Sequence, residues 1–253
     1  MNKQIQISVK ILLQIGKLLL QHGSETEVVE MGIKRAAKKL GYNSVELLVL
    51  PNTIMVGLTH DDQSFTKTIK AERQDINFRV VDAVEKIISD IDLNTNLDKL
   101  NTLLLDKQNL SSVYPYQLQR LMAALGCASF SLLFGGDYYI FIVTFIASFI
   151  GFSFNTMLLK RFFNPFLVII FVSFTTAIVS GLLTLNNTSS NIAISSSILF
   201  LVPSVAFINS VNDLIKGHYT NGLTRGIRGI MVSFAISIGI FLALHILTVE
   251  KFI

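Results

Sequence analysis

The chain has 253 residues, 51% of them hydrophobic, with a mean hydropathy of +0.57, a formal net charge of +4 and a pI near 9.1. That is too apolar for an ordinary soluble domain. The excess positive charge does not point to nucleic acid, because the prominent basic residues border apolar runs, where they suit the positive-inside rule. The single cysteine, Cys127, excludes an intramolecular disulfide framework and any multi-cysteine metal site.

Charge is unevenly placed. Most charged residues precede residue 114, and from Tyr138 onward they are Lys160, Arg161, Asp213, Lys216, Arg225, Arg228, Glu250 and Lys251. The asymmetry predicts two domains, a cytoplasmic α+β domain over 1–113 and an all-α transmembrane bundle over 114–253. The N-terminal apolar run is broken by Gln14 and Lys17, which suits an amphipathic helix rather than a signal peptide.

The first helix is expected over about 5–21, with Val9, Leu12, Leu13 and Leu19 toward a core. Gly23 breaks it. Ser24 and Glu27 have the spacing of a capping box for a second helix. That helix runs to about Leu40, acidic at its start and basic at its end in keeping with the helix dipole, and Gly41 stops it. The period then changes. VELLVL and TIMVGLT, separated by Pro51-Asn52, read as strands, and FTKTIKA suits a third, with Asp61-Asp62 as a turn signal. Helices are expected over about 76–91 and 97–108.

SSVYPY marks the domain boundary, since a proline can open a helix and tyrosines suit a membrane interface. About twenty apolar residues are needed to cross a bilayer. Five spans are expected, at roughly 118–136, 138–158, 162–185, 192–211 and 227–248. The polar run NNTSSN, 186–191, joins the third and fourth. Arg120, Lys160, Arg161, Lys216, Arg225 and Arg228 fall on one side of this layout and Lys251 on the other. The first side is therefore read as cytoplasmic and the C-terminus as outside, in a cell (inner or plasma) membrane.

Pro203–Arg228 lies between two stretches without charged residues, 162–212 and 229–249. Asn209, Asp213 and Gly217 recur every four residues, one face of a helix. Gly217 and Gly222 punctuate a turn. Pro203 frees a backbone carbonyl in the fourth span, among Ser195, Ser196, Ser197, Ser204 and Ser210, which suit close helix packing and hydrogen bonding. Two readings stand side by side. Asp213 is a proton or polar-contact site on a solute path and Arg225 a carboxylate contact. Alternatively, both are a structural clamp with a topology signal. None of the common hydrolase, metalloprotease, P-loop or Rossmann motifs is present, the four histidines are scattered, and no metal or organic cofactor is indicated, so no enzyme is expected.

Two motifs together resemble the threonine/serine exporter family. HGSETEVVEMGIKRAAKKLG before VELLVLPNTIMV is similar to that family's N-terminal region. PSVAFINSVNDLIKGHYTNGLTRG is similar to its membrane signature of a proline, an asparagine, Asp-Leu, a glycine, and a glycine before an arginine. The resemblance covers nearly the whole chain. It points to Gly23, Ser24, Glu25 and Glu30 in the first motif. In the second it points to Pro203, Asn209, Asp213, Leu214, Gly217, Gly222 and Arg225. The chain departs from the pattern in lacking an arginine near Glu27 or Val28, and in having Ser204 where glycine is common.

About five spans match the larger subunit of the family's split form, which works beside a second small membrane subunit. The resemblance therefore implies a secondary exporter of threonine and serine or of dicarboxylates, driven by the proton gradient. Its expected partners are a small-molecule substrate, the lipid bilayer and either that second subunit or further copies of the chain. The alternative of a different class is a membrane-anchored sensor or scaffold whose soluble domain binds a ligand or protein.

Overall fold

The computed structural model describes residues 2–42, 44–60, 63–72, 76–93, 95–108, 114–161, 164–185 and 189–250. The expected Asp61-Asp62 turn, the start of the 186–191 loop, the beginning of the SSVYPY boundary and Lys251 lie outside those residues. The chain forms two compact units, Met1–Val113 with Val205–Gly226, and Tyr114–Ser204 with Ile227–Ile253.

The first unit is built round α1 (Asn2–Gln21). Sequence alone reads this helix as amphipathic with one core face. In the structure Ile11, Leu12, Leu13, Ile15, Leu18 and Leu19 are all buried, so apolar cover reaches round most of the helix. The cover comes from α2 (Thr26–Lys39), α3 (Phe78–Ser89), α4 (Leu97–Gln108) and two strands of a three-stranded sheet. Burying each such side chain contributes about 1.5–3 kcal/mol, and their concentration makes α1 the centre of the core. The strands are β1 (Val45–Leu50), β2 (Thr53–His60) and β3 (Gln63–Lys70), an antiparallel meander in the order β1-β2-β3. Leu50 pairs with Thr53 across the two-residue Pro51-Asn52 turn. Ile54, Val56 and Leu58 alternate inward from β2, as a half-buried strand requires.

The expected capping box at the start of α2 does not form. Glu25 holds the N-cap place and makes no side-chain cap bond, and the Ser24 hydroxyl is buried without a hydrogen-bond partner. The first amide of α2 is satisfied from elsewhere in the sequence, by Asp213 of the segment that completes this unit. A local motif has been outcompeted by a carboxylate, a stronger acceptor than a hydroxyl.

The 205–226 segment of the first unit is a helical hairpin. It consists of α9 (Ser204–Ile215) and the first turns of α10 (Tyr219–Glu250). Gly217, at φ +84°, makes the left-handed turn that ends α9, and the His218 amide donates to the Asp213 carbonyl oxygen at 2.8 Å. Gly222 lets the two arms meet. A Cβ there would lie 2.7 Å from Leu214 Cγ and 3.0 Å from the Ser210 carbonyl oxygen. The Ser210 hydroxyl donates to the Gly222 carbonyl oxygen at 2.7 Å, closing the same contact.

The second unit contains α5 (Tyr116–Leu133), α6 (Tyr138–Lys160), α7 (Pro165–Leu183), α8 (Ser190–Ser197) and the greater part of α10. The residues they bury are mostly small or hydroxylated. They include Ala124, Cys127, Ala128 and Ser131 on α5; Thr144, Ala147, Ser148 and Gly151 on α6; and Ser173, Thr176, Ala177 and Ser180 on α7. Such stripes let helices approach closely where lipid supplies no hydrophobic drive between them.

Within the described residues the five expected spans fall largely on helix, but the fourth is interrupted, and α5, under the first, is not among the helices long and apolar enough to cross. After α8 a 3-10 turn, Leu199–Leu201, leads to extended Val202 and then Pro203, before α9 begins. The residue before a proline avoids the helical region, which places the break. Ser148 donates its hydroxyl to the Ser197 carbonyl oxygen at 2.9 Å, satisfying one acceptor that the break leaves without a helical donor. Among the described residues, α6, α7 and α10 are long and apolar enough to cross a membrane, and the interrupted α8–α9 pair makes a fourth if taken as one span.

Candidate functional site

Both motifs singled out in the sequence meet in the first unit. Gly23 ends α1 at φ +98°, and the Ser24 amide donates to the Leu19 carbonyl oxygen at 3.1 Å, a C-cap that fixes the turn. This turn, 23–26, presents its backbone to the α9–α10 hairpin. Asn209 Nδ2 donates to the Gly23 carbonyl oxygen at 2.9 Å, and Arg225 Nη2 to the Ser24 carbonyl oxygen at 2.9 Å. The Thr26 amide donates to Asp213 Oδ1 at 3.0 Å.

Asp213 and Arg225 form an ion pair with 3.3 Å between Oδ2 and Nε. Their side chains are 0% and 4% exposed, so this is a desolvated pair. The contact is one of charge rather than an aligned hydrogen bond, since Oδ2 has no hydrogen-bond donor of suitable geometry. Breaking such a pair by removing one partner costs about 3–5 kcal/mol, because the other charge stays buried and unbalanced. Arg225 Nη1 is also buried without a hydrogen-bond partner, as is Asn221 Oδ1.

Asn221 is the residue that sequence reasoning missed. It is buried, and its Nδ2 donates to Thr26 Oγ1 at 3.0 Å and to the Val49 carbonyl oxygen at 2.9 Å. It thus ties α10 to the start of α2 and to β1. Its position four residues before Arg225, on the same face of a helix, was the available signal.

A ring of half-buried charge surrounds this centre. Glu25 accepts from Asn212 Nδ2 at 2.7 Å and from Lys216 Nζ at 2.8 Å, and Lys216 Nζ also lies 2.7 Å from Glu27 Oε2. The Lys216 hydrogen bond is the largest influence holding the Glu25 carboxyl below the usual range; burial opposes it, and Asn212 and the Lys216 charge assist. The same pairing raises the Lys216 ammonium above its ordinary value, through Glu25 first and Glu27 second. Glu30 lies 3.7 Å from His218 Nδ1 and 3.8 Å from Lys34 Nζ.

The structure therefore brings Gly23, Ser24 and Glu25 together with Asn209, Asp213 and Arg225. Glu30 sits beside the His218 of the hairpin turn. Gly217 shapes that turn and Gly222 packs its arms. Pro203 is part of the second unit, where it marks the break before α9. Among the described residues no group of three or more His, Cys, Asp or Glu is placed to hold a metal ion. Chemically, the site offers one guanidinium, one carboxylate and two amides in a dry setting. That set can hold a carboxylate and a hydrogen-bond donor, or hold a piece of backbone, as it does here.

A family model described as "Putative threonine/serine exporter" matches residues 10–247. A protein of Escherichia coli (strain K12) named "Probable succinate transporter subunit YjjP" is 32% identical over 248 residues, covering 97% of this chain and 96% of that protein. A protein of the same name from Klebsiella aerogenes is 32% identical over 238 residues, covering 93% and 92%. No solved structure matches the chain.

Proposed function

The chain belongs to the threonine/serine exporter family, and on that footing we propose that this multi-pass membrane protein is one subunit of a secondary exporter of small carboxylates. The substrate is a dicarboxylate such as succinate or a hydroxy amino acid such as threonine or serine. The relatives' name favours the dicarboxylate and the family's name the amino acid. A second small membrane subunit completes the path, in keeping with the word subunit in the relatives' name. The proton gradient drives export. Residues 1–113, with the 205–226 hairpin packed on them, face the cytoplasm, and the rest of 114–253 forms the membrane domain, with the C-terminus outside.

The observation that carries this reading is the buried Asp213–Arg225 pair, on the hairpin that lies between the uncharged stretches 162–212 and 229–249. Ionised groups on membrane helices are expensive and mark substrate and proton paths. In the proposed cycle, Arg225 receives the substrate carboxylate while Asp213 takes the proton or the substrate's donor group. Asn209 and Asn221 supply neutral contacts.

The test is efflux from cells loaded with succinate, and separately with a serine- or threonine-containing dipeptide. The chain is expressed alone and with any small membrane protein encoded beside it. Faster efflux of one solute when both proteins are present is the expected result and names the substrate class. Unchanged efflux of both solutes, with both proteins shown to be in the membrane, overturns the reading.

A second reading, a membrane-anchored sensor or scaffold, is favoured by one observation. A cavity of about 370 Å³ in the first unit is lined by Ile87, Ile91, Leu100 and Leu103, with Asp90 and Lys99 among its polar residues. Its size and mostly apolar lining suit a small ligand. On this reading a ligand added to the purified protein protects Lys99 from acylation, and charge changes at Asp213 leave efflux untouched.

A further inference from the structure

We propose that the 23–26 turn is a plug seated on the carboxylate-binding groups of the α9–α10 hairpin, and that a ligand presenting one carboxylate and a neighbouring hydrogen-bond donor displaces it. This rests on the exporter reading and assigns a regulation to the same site.

The turn offers the hairpin the functional groups of such a ligand. The Ser24 carbonyl oxygen takes a hydrogen from Arg225, as a substrate carboxylate would. The Thr26 amide gives a hydrogen to Asp213, as a substrate ammonium, hydroxyl or protonated carboxyl would. The Gly23 carbonyl oxygen occupies Asn209. One piece of backbone therefore fills acceptor and donor positions together, and a ligand cannot engage them while it stays.

The fit leaves bonding capacity unused. Arg225 Nη1, Asp213 Oδ2 and Asn221 Oδ1 are buried and have no hydrogen-bond partner. A carbonyl oxygen is neutral and engages one guanidinium nitrogen here, whereas a carboxylate is charged and bridges two. A ligand donor can likewise reach the second oxygen of Asp213 or that of Asn221. The exchange keeps both buried charges paired throughout, and so avoids the penalty of stranding either one. It also selects against a fully ionised diacid. The pair at the site is neutral overall, so the ligand's carboxylate is balanced only when it arrives with an ammonium group or with a proton for Asp213, and a second negative charge finds no further buried cation among the hairpin's described contacts.

The turn moves as a unit rather than by melting, because its Ser24 amide is bound into the end of α1. The contacts to be parted are the buried Asn221 bond to Thr26 Oγ1 and, at the rim, the half-exposed Glu25 and Glu27 with Lys216. Water replaces the rim contacts at little cost, and the ligand's own groups replace the buried one.

The experiment uses the whole chain, coexpressed with any small membrane protein encoded beside it, with Cys127→Ala and the pair Glu25→Cys and Lys216→Cys. The two introduced thiols are joined by a short bis-thiol reagent with a reducible link. Serine, glycolate and succinate are the probes, with choline as a control lacking a carboxylate. Two results are expected. At least one carboxylate probe slows cross-linking several-fold while choline does not, with hydrogen succinate more effective at pH 5 than succinate at pH 7.5. The joined protein loses efflux, and reduction restores it. The proposal is overturned if every probe leaves the cross-linking rate unchanged, or if joined and reduced proteins export equally. Loss of efflux in the reduced protein and in wild type alike, with cross-linking still slowed by a carboxylate, would overturn the exporter reading while upholding the plug.

Discussion

Asp213 Oδ1 accepts the backbone amide of Thr26 at 3.0 Å, across a separation of 187 residues. A helix start leaves amides without intrahelical acceptors, and here one of them is met by a carboxylate from another helix. Asp213 thus serves two masters, the dipole of α2 and the guanidinium of Arg225.

Arg225→Met strands the Asp213 carboxylate in a dry site. The variant is expected to lose about 3–5 kcal/mol of stability, read as a fall in the thermal unfolding midpoint of detergent-purified protein. Combining it with Asp213→Asn should cost less than the sum of the two single changes, because neither charge is then left alone. Additive losses would show that the two side chains do not act as a pair.

Asn221→Ala removes the donors to Thr26 Oγ1 and the Val49 carbonyl oxygen. Two buried acceptors lose their partner, a cost of about 1–3 kcal/mol each at most. Amide hydrogen exchange should quicken along β1 and the first turn of α2, and α6 should be unaffected. Uniform exchange changes in both units would contradict a local tie.

Gly222→Val brings a branched side chain against Leu214 and the Ser210 carbonyl oxygen. Backbone cannot yield as a flexible side-chain tip does, so a loss of roughly 1–3 kcal/mol or more is expected. Gly126→Ala serves as the contrast, since a Cβ there meets nothing within 4 Å. Equal unfolding midpoints for the two variants would refute the tight α9–α10 contact.

The Glu25–Lys216 contact has a pH signature. The Glu25 carboxyl is held below its ordinary value of 4.5, chiefly by the Lys216 hydrogen bond. A group with a depressed folded-state value adds stability above its ordinary value and loses it as pH falls through the depressed one. Wild type should therefore exceed Glu25→Gln in thermal midpoint at pH 6–7, with the gap closing below about pH 4.5. A gap that widens on acidification would reverse the sign and refute the assignment.

Local pattern made much of the first unit readable. The short apolar runs VELLVL and TIMVGLT on either side of Pro51-Asn52 announced β1 and β2, and the alternation of FTKTIKA with basic residues became β3. The apolar periodicity of α1 was visible, but not that neighbours would cover it on nearly all sides, because burial depends on what packs there. The break before α9 was written in Pro203. The exchange of Ser24 for Asp213 as the cap of α2 was not, since a capping box is a four-residue pattern and its rival lay far along the chain. Asn209, Asp213 and Arg225 stood out through their apolar surroundings. Asn221 did not, because an asparagine before a glycine reads first as a turn.

The first unit is assembled from two distant pieces of chain, and this has a consequence for biosynthesis. At ribosomal rates of roughly 5–20 residues per second, on the order of ten to forty seconds separate the emergence of Thr26 from that of Asp213. Throughout that interval the nascent N-terminal segment carries an uncapped helix start and a β1 carbonyl without Asn221. The unit is completed only once α9 and the start of α10 have been synthesised.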